Sequence, residues 1–293
     1  MNVLAYASSL GRIFLGAWAV TSCGDGLGGV LISSEKEVEM GVAVDQQLHA
    51  EYRIATPDDP STVWMQQFIG RLVESSRTFR DPAEIGGYKV AIVADDALVN
   101  AFAAPGGFTY ISTGLILQAS SCAEIAGVMG HELAHVTERH GVKMVEESYA
   151  VGTISGWFLG EGMAADVAEG LYAFFANTQF SQDHENEADK IGLQIAYGAG
   201  YNPYGLADFF AKLLALEGGT SIPTFLSTHP ATQDRIDAVG QEIERRYGTQ
   251  VDPGTTQTYE CVGTSLTLAA LKAHITSGQL AVIAGTGTRT RPR

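Results

Sequence analysis

Between residues 34 and 53, apolar side chains at Val38, Met40, Val42, Val44 and Leu48 are set among charges and amides, and the spacing predicts a helix. A second helix is predicted from Ser61 to Arg77, with Val63, Phe68, Ile69 and Leu72 near one face and Asp81-Pro82 closing the region. The period then shortens. Tyr88 to Ala94 alternates like a strand, and Asn100 to Thr113 holds two β-rich runs around Ala104-Pro105-Gly106-Gly107, a hairpin signature. Ser121-Cys122-Ala123-Glu124 is a capping box, predicted to open a helix that runs through His140 with Ile125, Val128, Glu132 and His135 near one face. Further helices are predicted over Ser181–Tyr197, Asn202–Glu217 and Pro230–Arg246, the last two with proline in the first turn, and a short one over Ser265–Thr276. Residues 150–176 are apolar but interrupted by Glu161, Asp166 and Glu169, which suits core helices, with a membrane or oligomer contact as the alternative. No repeat of fixed period occurs.

Composition narrows the function classes. The 293 residues carry a net charge of −15, which repels a phosphate backbone and offers no basic stripe, so nucleic acid is excluded as a partner. The first 22 residues hold no acid and one base, Arg12, followed by the apolar run Ile13 to Val20 and then Thr21-Ser22-Cys23. That run is too short to span a bilayer and resembles a bacterial lipoprotein signal. The expectation is a signal peptide over 1–22, lipidation at Cys23, and a Gly-rich linker over 23–33. The protein would then be periplasmic and lipid-anchored, at the outer membrane rather than the inner because Gly24 follows the cysteine. Cys122 and Cys261 would sit where a disulfide is permitted, and the sequence leaves their pairing open.

The chemistry centres on His131-Glu132-Leu133-Ala134-His135. Residues four apart share a helical face, so both imidazoles can reach one ion, and zinc suits that donor type. A catalytic zinc takes three protein ligands and keeps one open position. Glu185 is the best third ligand in the sequence. It shares a face with Asp189 on another predicted helix, so one carboxylate can bind metal while the other accepts the free N–H of a ligating imidazole. Glu187 is predicted to point away from that face, solvated or paired, and His140 to close its helix as a partial cation.

Four stretches carry a resemblance to the M48 family of zinc metallopeptidases. They are Asn100-Ala-Phe-Ala-Ala-Pro-Gly-Gly, His131 to His140, Glu185 to Gly192, and Ser227 to Ile236. They fall in the family's order, although Gln182 stands where many relatives have arginine. The resemblance implies an α+β, mainly helical, gluzincin-like domain over 34–247 with a small sheet and an edge-strand hairpin. A tail over 248–293 with one short helix would follow. It further implies one Zn2+ per chain held by His131, His135 and Glu185, with Glu132 as general base and Asp189 behind the ligands. His229 or Arg235 would stabilise the oxyanion, or His229 would sit over the metal and hold the enzyme latent. Asn100, Ala101 and Phe102 would receive an extended peptide by β-addition. The function so read is endopeptidase action on unfolded or misassembled envelope proteins, as in the short lipoprotein members engaged in protein quality control. A zinc-stabilised holdase and a latent protease are the alternatives. Oligomeric state and substrate identity have no sequence signature.

Overall fold

The computed structural model describes residues 32–150, 165–216, 224–230, 232–251, 261–283 and 285; the expected signal peptide, Cys23 and nearly all of the 23–33 linker lie outside the described residues. Ser33 caps α1 (Ser34–Glu51) by accepting from the Lys36 N–H, and Asp59 caps α2 (Pro60–Ser76), whose Pro60 has no N–H to leave unsatisfied. Among the described residues, β1 (Ile54–Ala55), β2 (Lys89–Val93), β3 (Ala101–Ala104), β4 (Phe108–Ser112) and β5 (Val282–Ile283) form one sheet in the order β3-β4-β2-β1-β5. Strands β2 and β4 run parallel, and the other pairs are antiparallel.

The expected hairpin is β3–β4, with Ala101 opposite Ile111 and Ala104 opposite Phe108, and it leaves β3 on the sheet edge. Its turn needs Gly106 and Gly107, which sit at φ 71° and 80°, where a side chain would be strained. Alternation along the strands serves two apolar layers. Ile92 and Ile111 join a core with α2 and the helices α3 (Thr113–Gln118), α4 (Cys122–Thr137), α7 (Gln182–Gly198) and α8 (Gly205–Leu216). Val93 and Tyr110 face a second cluster with α1, α5 (His140–Ala150) and α6 (Ala165–Asn177). Leu171, Phe174 and Phe175 of α6 pack into that second cluster, so this part of the apolar stretch serves the core. Among the described residues no helix is long and apolar enough to cross a membrane.

Three boundaries differ from the sequence reading. The helix opened by Ser121 stops at Thr137, not His140, because Arg139 turns to φ 56° and a new helix begins at His140. A buried ion pair fixes that break. Arg80 makes a bidentate pair with Glu37 (2.9 Å at each oxygen) and donates to the Val136 carbonyl at 3.1 Å, while Arg139 Nε reaches the same carboxylate at 2.9 Å. Pro203 and Pro230 precede their helices rather than open them. The chain turns at Asn202 before α8, and after the short α9 (Thr224–Thr228) it is Thr232 that caps α10 (Gln233–Tyr247). The 248–293 segment holds the expected short helix, α11 (Leu268–Thr276), but also β5, and both pack on the body of the fold. Leu271 and Ile275 are buried in the first core, the Trp64 indole N–H donates to the Leu266 carbonyl at 2.9 Å, and Cys261 is disulfide-bonded to Cys122 with Cα atoms 5.3 Å apart.

Candidate metal centre

Helix α4 presents His131 and His135 one turn apart, and α7 crosses it presenting Glu185 and Asp189 one turn apart. The crossing is close because Gly130 meets Gly192. A Cβ on Gly192 would lie 2.7 Å from the His131 nitrogen, so any side chain there would push the two pairs of groups apart. His229, just after α9, completes the group. One donor atom from each of His131, His135, Glu185 and His229 falls within 4.8 Å of the others, and all four residues are buried. His135 Nε2 is 3.0 Å from His131 Nε2, and His131 Nε2 is 3.2 Å from His229 Nδ1. Glu185 Oε1 lies 2.9 Å from His229 Nδ1 and 3.4 Å from His135 Nε2.

Three imidazole nitrogens aimed at one point cannot satisfy one another, since each neutral ring has one donor and one acceptor nitrogen. A cation resolves the crowding. Ligand atoms about 2.0–2.1 Å from a tetrahedral zinc stand roughly 3.3 Å apart, close to the spacings found here, and an N3O donor set with no cysteine suits zinc among the first-row metals. The residues present therefore fit the metal that the sequence implies.

Charges around the cluster are arranged to hold it. Asp189 Oδ1 lies 2.9 Å from His131 Nδ1, and Arg235 clamps the same carboxylate through Nε at 2.8 Å and Nη2 at 2.7 Å. Burial pushes the His131 imidazolium down, but Asp189 and Glu185 outweigh it and raise its pKa to about 9. Burial drives His135 the other way, well below the ordinary histidine range. Glu185 and Asp189 would be raised by burial, yet their histidine and arginine partners hold both below the usual carboxylate range. Glu132 differs. It is fully buried, neither carboxylate oxygen makes a close hydrogen bond among the described residues, and burial raises its pKa. The His229 ring stands beside it, with Nε2 3.4 Å from Glu132 Oε1.

The structure turns Arg235 away from the expected oxyanion role. Besides Asp189, its guanidinium donates to the Pro230 carbonyl at 2.8 Å and pairs with Glu185 Oε2 at 2.9 Å, stacked 4.6 Å over the Phe210 ring. Those donors are committed to carboxylates and backbone behind the cluster. His229, in contrast, lies among the donors. Asn100, Ala101 and Phe102 lead into and begin the edge strand β3, and Asn100 Oδ1 is buried with no hydrogen-bond partner among the described residues.

Three contacts escaped the sequence reading. His140 is buried rather than a surface cap, with Nδ1 2.9 Å from His135 Nδ1 and Nε2 3.0 Å from Glu187 Oε2, so the partner of Glu187 is a histidine that itself touches the site. Phe180 stacks on His135 with ring centroids 3.9 Å apart. His140 follows His135 by five residues, off the face of a continuous helix; only the break at Arg139 brings it back.

Comparison with known proteins places this constellation. The profile of peptidase family M48 matches residues 61–243. The chain is 33% identical over 156 residues to mitochondrial metalloendopeptidase OMA1 of Arabidopsis thaliana, covering 51% of this chain and 30% of that one. It is 29% identical over 220 residues to the beta-barrel assembly-enhancing protease of Yersinia pestis (71% and 44% covered). With metalloprotease YcaL of Escherichia coli it shares 32% over 165 residues (53% and 61%). The chain thus spans less than two thirds of the length of each of these relatives. Since the family match takes in well over half of the chain and contains the α4–α7 cluster and His229, this chain belongs to peptidase family M48.

Proposed function

We propose that this chain is a zinc-dependent endopeptidase that hydrolyses peptide bonds of unfolded or misassembled cell-envelope proteins. The observation that carries the reading is the buried convergence of His131, His135 and Glu185 beside a carboxylate, Glu132, whose oxygens make no close hydrogen bond among the described residues. Held by those three residues, zinc would acidify a water molecule and polarise the scissile carbonyl. Glu132 takes the water proton and hands it to the leaving amine. Its burial raises its pKa toward working pH, the direction that suits a base which must also serve as an acid. Asp189 fixes the His131 ring through Nδ1, Arg235 neutralises Asp189 and Glu185, and His140 orients His135. The edge strand β3 receives the substrate main chain, which gives affinity with little demand on sequence and suits unfolded chains.

The names of the bacterial relatives support envelope quality control, and the signal-like N-terminus with Cys23 supports a lipid-anchored periplasmic protein. A second reading has its own observation. His229 brings a fourth donor within the cluster, and a four-donor set resembles a closed site rather than an open one. The enzyme would then be latent until His229 withdraws. Cleavage of casein by the zinc-loaded chain, with none by Glu132→Ala at equal zinc content, is the expected result. No cleavage by either would count against a constitutive peptidase, and a gain on His229→Ala would support the latent form.

A further inference from the structure

We propose that the cleft between β3 and helices α1, α5 and α6 is a specificity pocket that accepts one large apolar side chain, aliphatic or aromatic, from an extended substrate. The inference rests on the endopeptidase reading above and adds the class of residue beside which the enzyme cuts. The cleft encloses about 300 Å3 and runs from β3 to His229, so it is continuous with the metal centre. Its apolar wall includes Leu48, Leu98, Met144, Tyr172 and Phe175, and among the described residues no Asp, Glu, Lys or Arg lines it in a chain with net charge −15. A charged side chain entering the apolar end would lose water and, among the described lining residues, meet no carboxylate, ammonium or guanidinium to compensate it.

One polar group in the cleft points to a bound main chain. Asn100 lines it, is 8% exposed, and its side-chain oxygen has no hydrogen-bond partner among the described residues. A buried amide oxygen requires a donor, and a peptide N–H laid along β3 supplies one. Apolar walls with a few placed polar groups are the general form of a ligand pocket, here with the polar group at the strand and the apolar space beyond it. The second apolar cluster of the fold therefore serves two ends: α1, α5 and α6 cover one face of the sheet and also wall the cleft.

The test uses the zinc-loaded full chain and quenched decapeptides of Gly and Ser with one central Phe, Leu, Ala, Asp or Lys. The expected kcat/KM for Phe and Leu is at least about tenfold that for Ala, with Asp and Lys lower still. Leu98→Lys is expected to shrink the Phe-to-Asp ratio at least about tenfold; as a ratio within one preparation, it is unaffected by loss of folded protein. Binding of singly labelled peptides to Glu132→Gln, followed by fluorescence anisotropy, repeats the comparison without turnover. Equal cleavage of all five peptides would overturn the pocket and leave the peptidase reading standing. Absent cleavage with apolar-selective binding would overturn the peptidase reading and keep the pocket. Absent cleavage with flat or undetectable binding would overturn both.

Discussion

Two buried polar clusters touch helix α4. His131, His135, Glu185 and His229 gather along it, and Glu37, Arg80 and Arg139 gather at its C-terminal end. In the second cluster the carboxylate is saturated: Glu37 accepts from both arginines and from the Gly106 N–H, and Arg80 directs its remaining donors to Glu84, Ser34 and the Val136 carbonyl. In the first, three ring nitrogens crowd together and Glu132 makes no close hydrogen bond among the described residues, with only the His229 ring 3.4 Å away. A group that only holds the fold is satisfied by the fold, whereas groups kept for a metal and a substrate stay under-satisfied. The same helix is thus anchored at one end by complete pairing and held ready in its middle by incomplete pairing.

The largest expected effect separates the two clusters by function. Glu132→Gln should lower kcat by about 10²–10⁴-fold while zinc content, measured by atomic absorption, stays at the parent level; loss of the metal along with activity would place Glu132 among the ligands. Breaking the other cluster should act on stability instead. Glu37→Ala leaves two guanidinium groups with no buried carboxylate and should cost about 3–5 kcal/mol in denaturant unfolding. A change under 1 kcal/mol would mean that water, not pairing, serves Arg80 and Arg139.

Asp189→Asn should weaken zinc retention about 10–100-fold against a competing chelator, because it removes the carboxylate at His131 Nδ1 and one of the two carboxylates paired with Arg235. Equal retention would remove Asp189 from the site's support. The smallest effect lies far from both clusters and calibrates them. Burial would raise the Asp59 carboxyl, but Ser61, the Ala281 N–H and His274 outweigh it, so its pKa is lowered. A lowered carboxylate pKa stabilises the fold above the ordinary range near about pH 4, and that contribution is lost as pH falls through the depressed value. Asp59→Asn should therefore flatten the acid limb of stability against pH; an unchanged limb would sink the assignment.

Sequence legibility followed the same division. His131, His135, Glu185 and Asp189 could be placed together because each pair repeats at helical spacing, and the hairpin showed in Pro105-Gly106-Gly107. The Glu37–Arg80–Arg139 cluster draws on residues 43 and 102 positions apart, separations at which spacing carries no information. His140 was misread for a related reason: a non-glycine residue at positive φ ended the helix three residues early, and the long-range pairing that supports this conformation is invisible locally. Strands β1 and β5 have two residues each, too short for any period to register.

The Cys122–Cys261 disulfide closes a covalent ring of 139 residues' separation, and His131, His135, Glu185, Asp189, His229 and Arg235 all lie inside it. A single backbone cut anywhere between the two cysteines opens that ring without releasing a fragment. A protease nicked once by a neighbour or by another copy of itself would still carry every metal-site residue in one molecule, and only reduction of the bond would let the halves part.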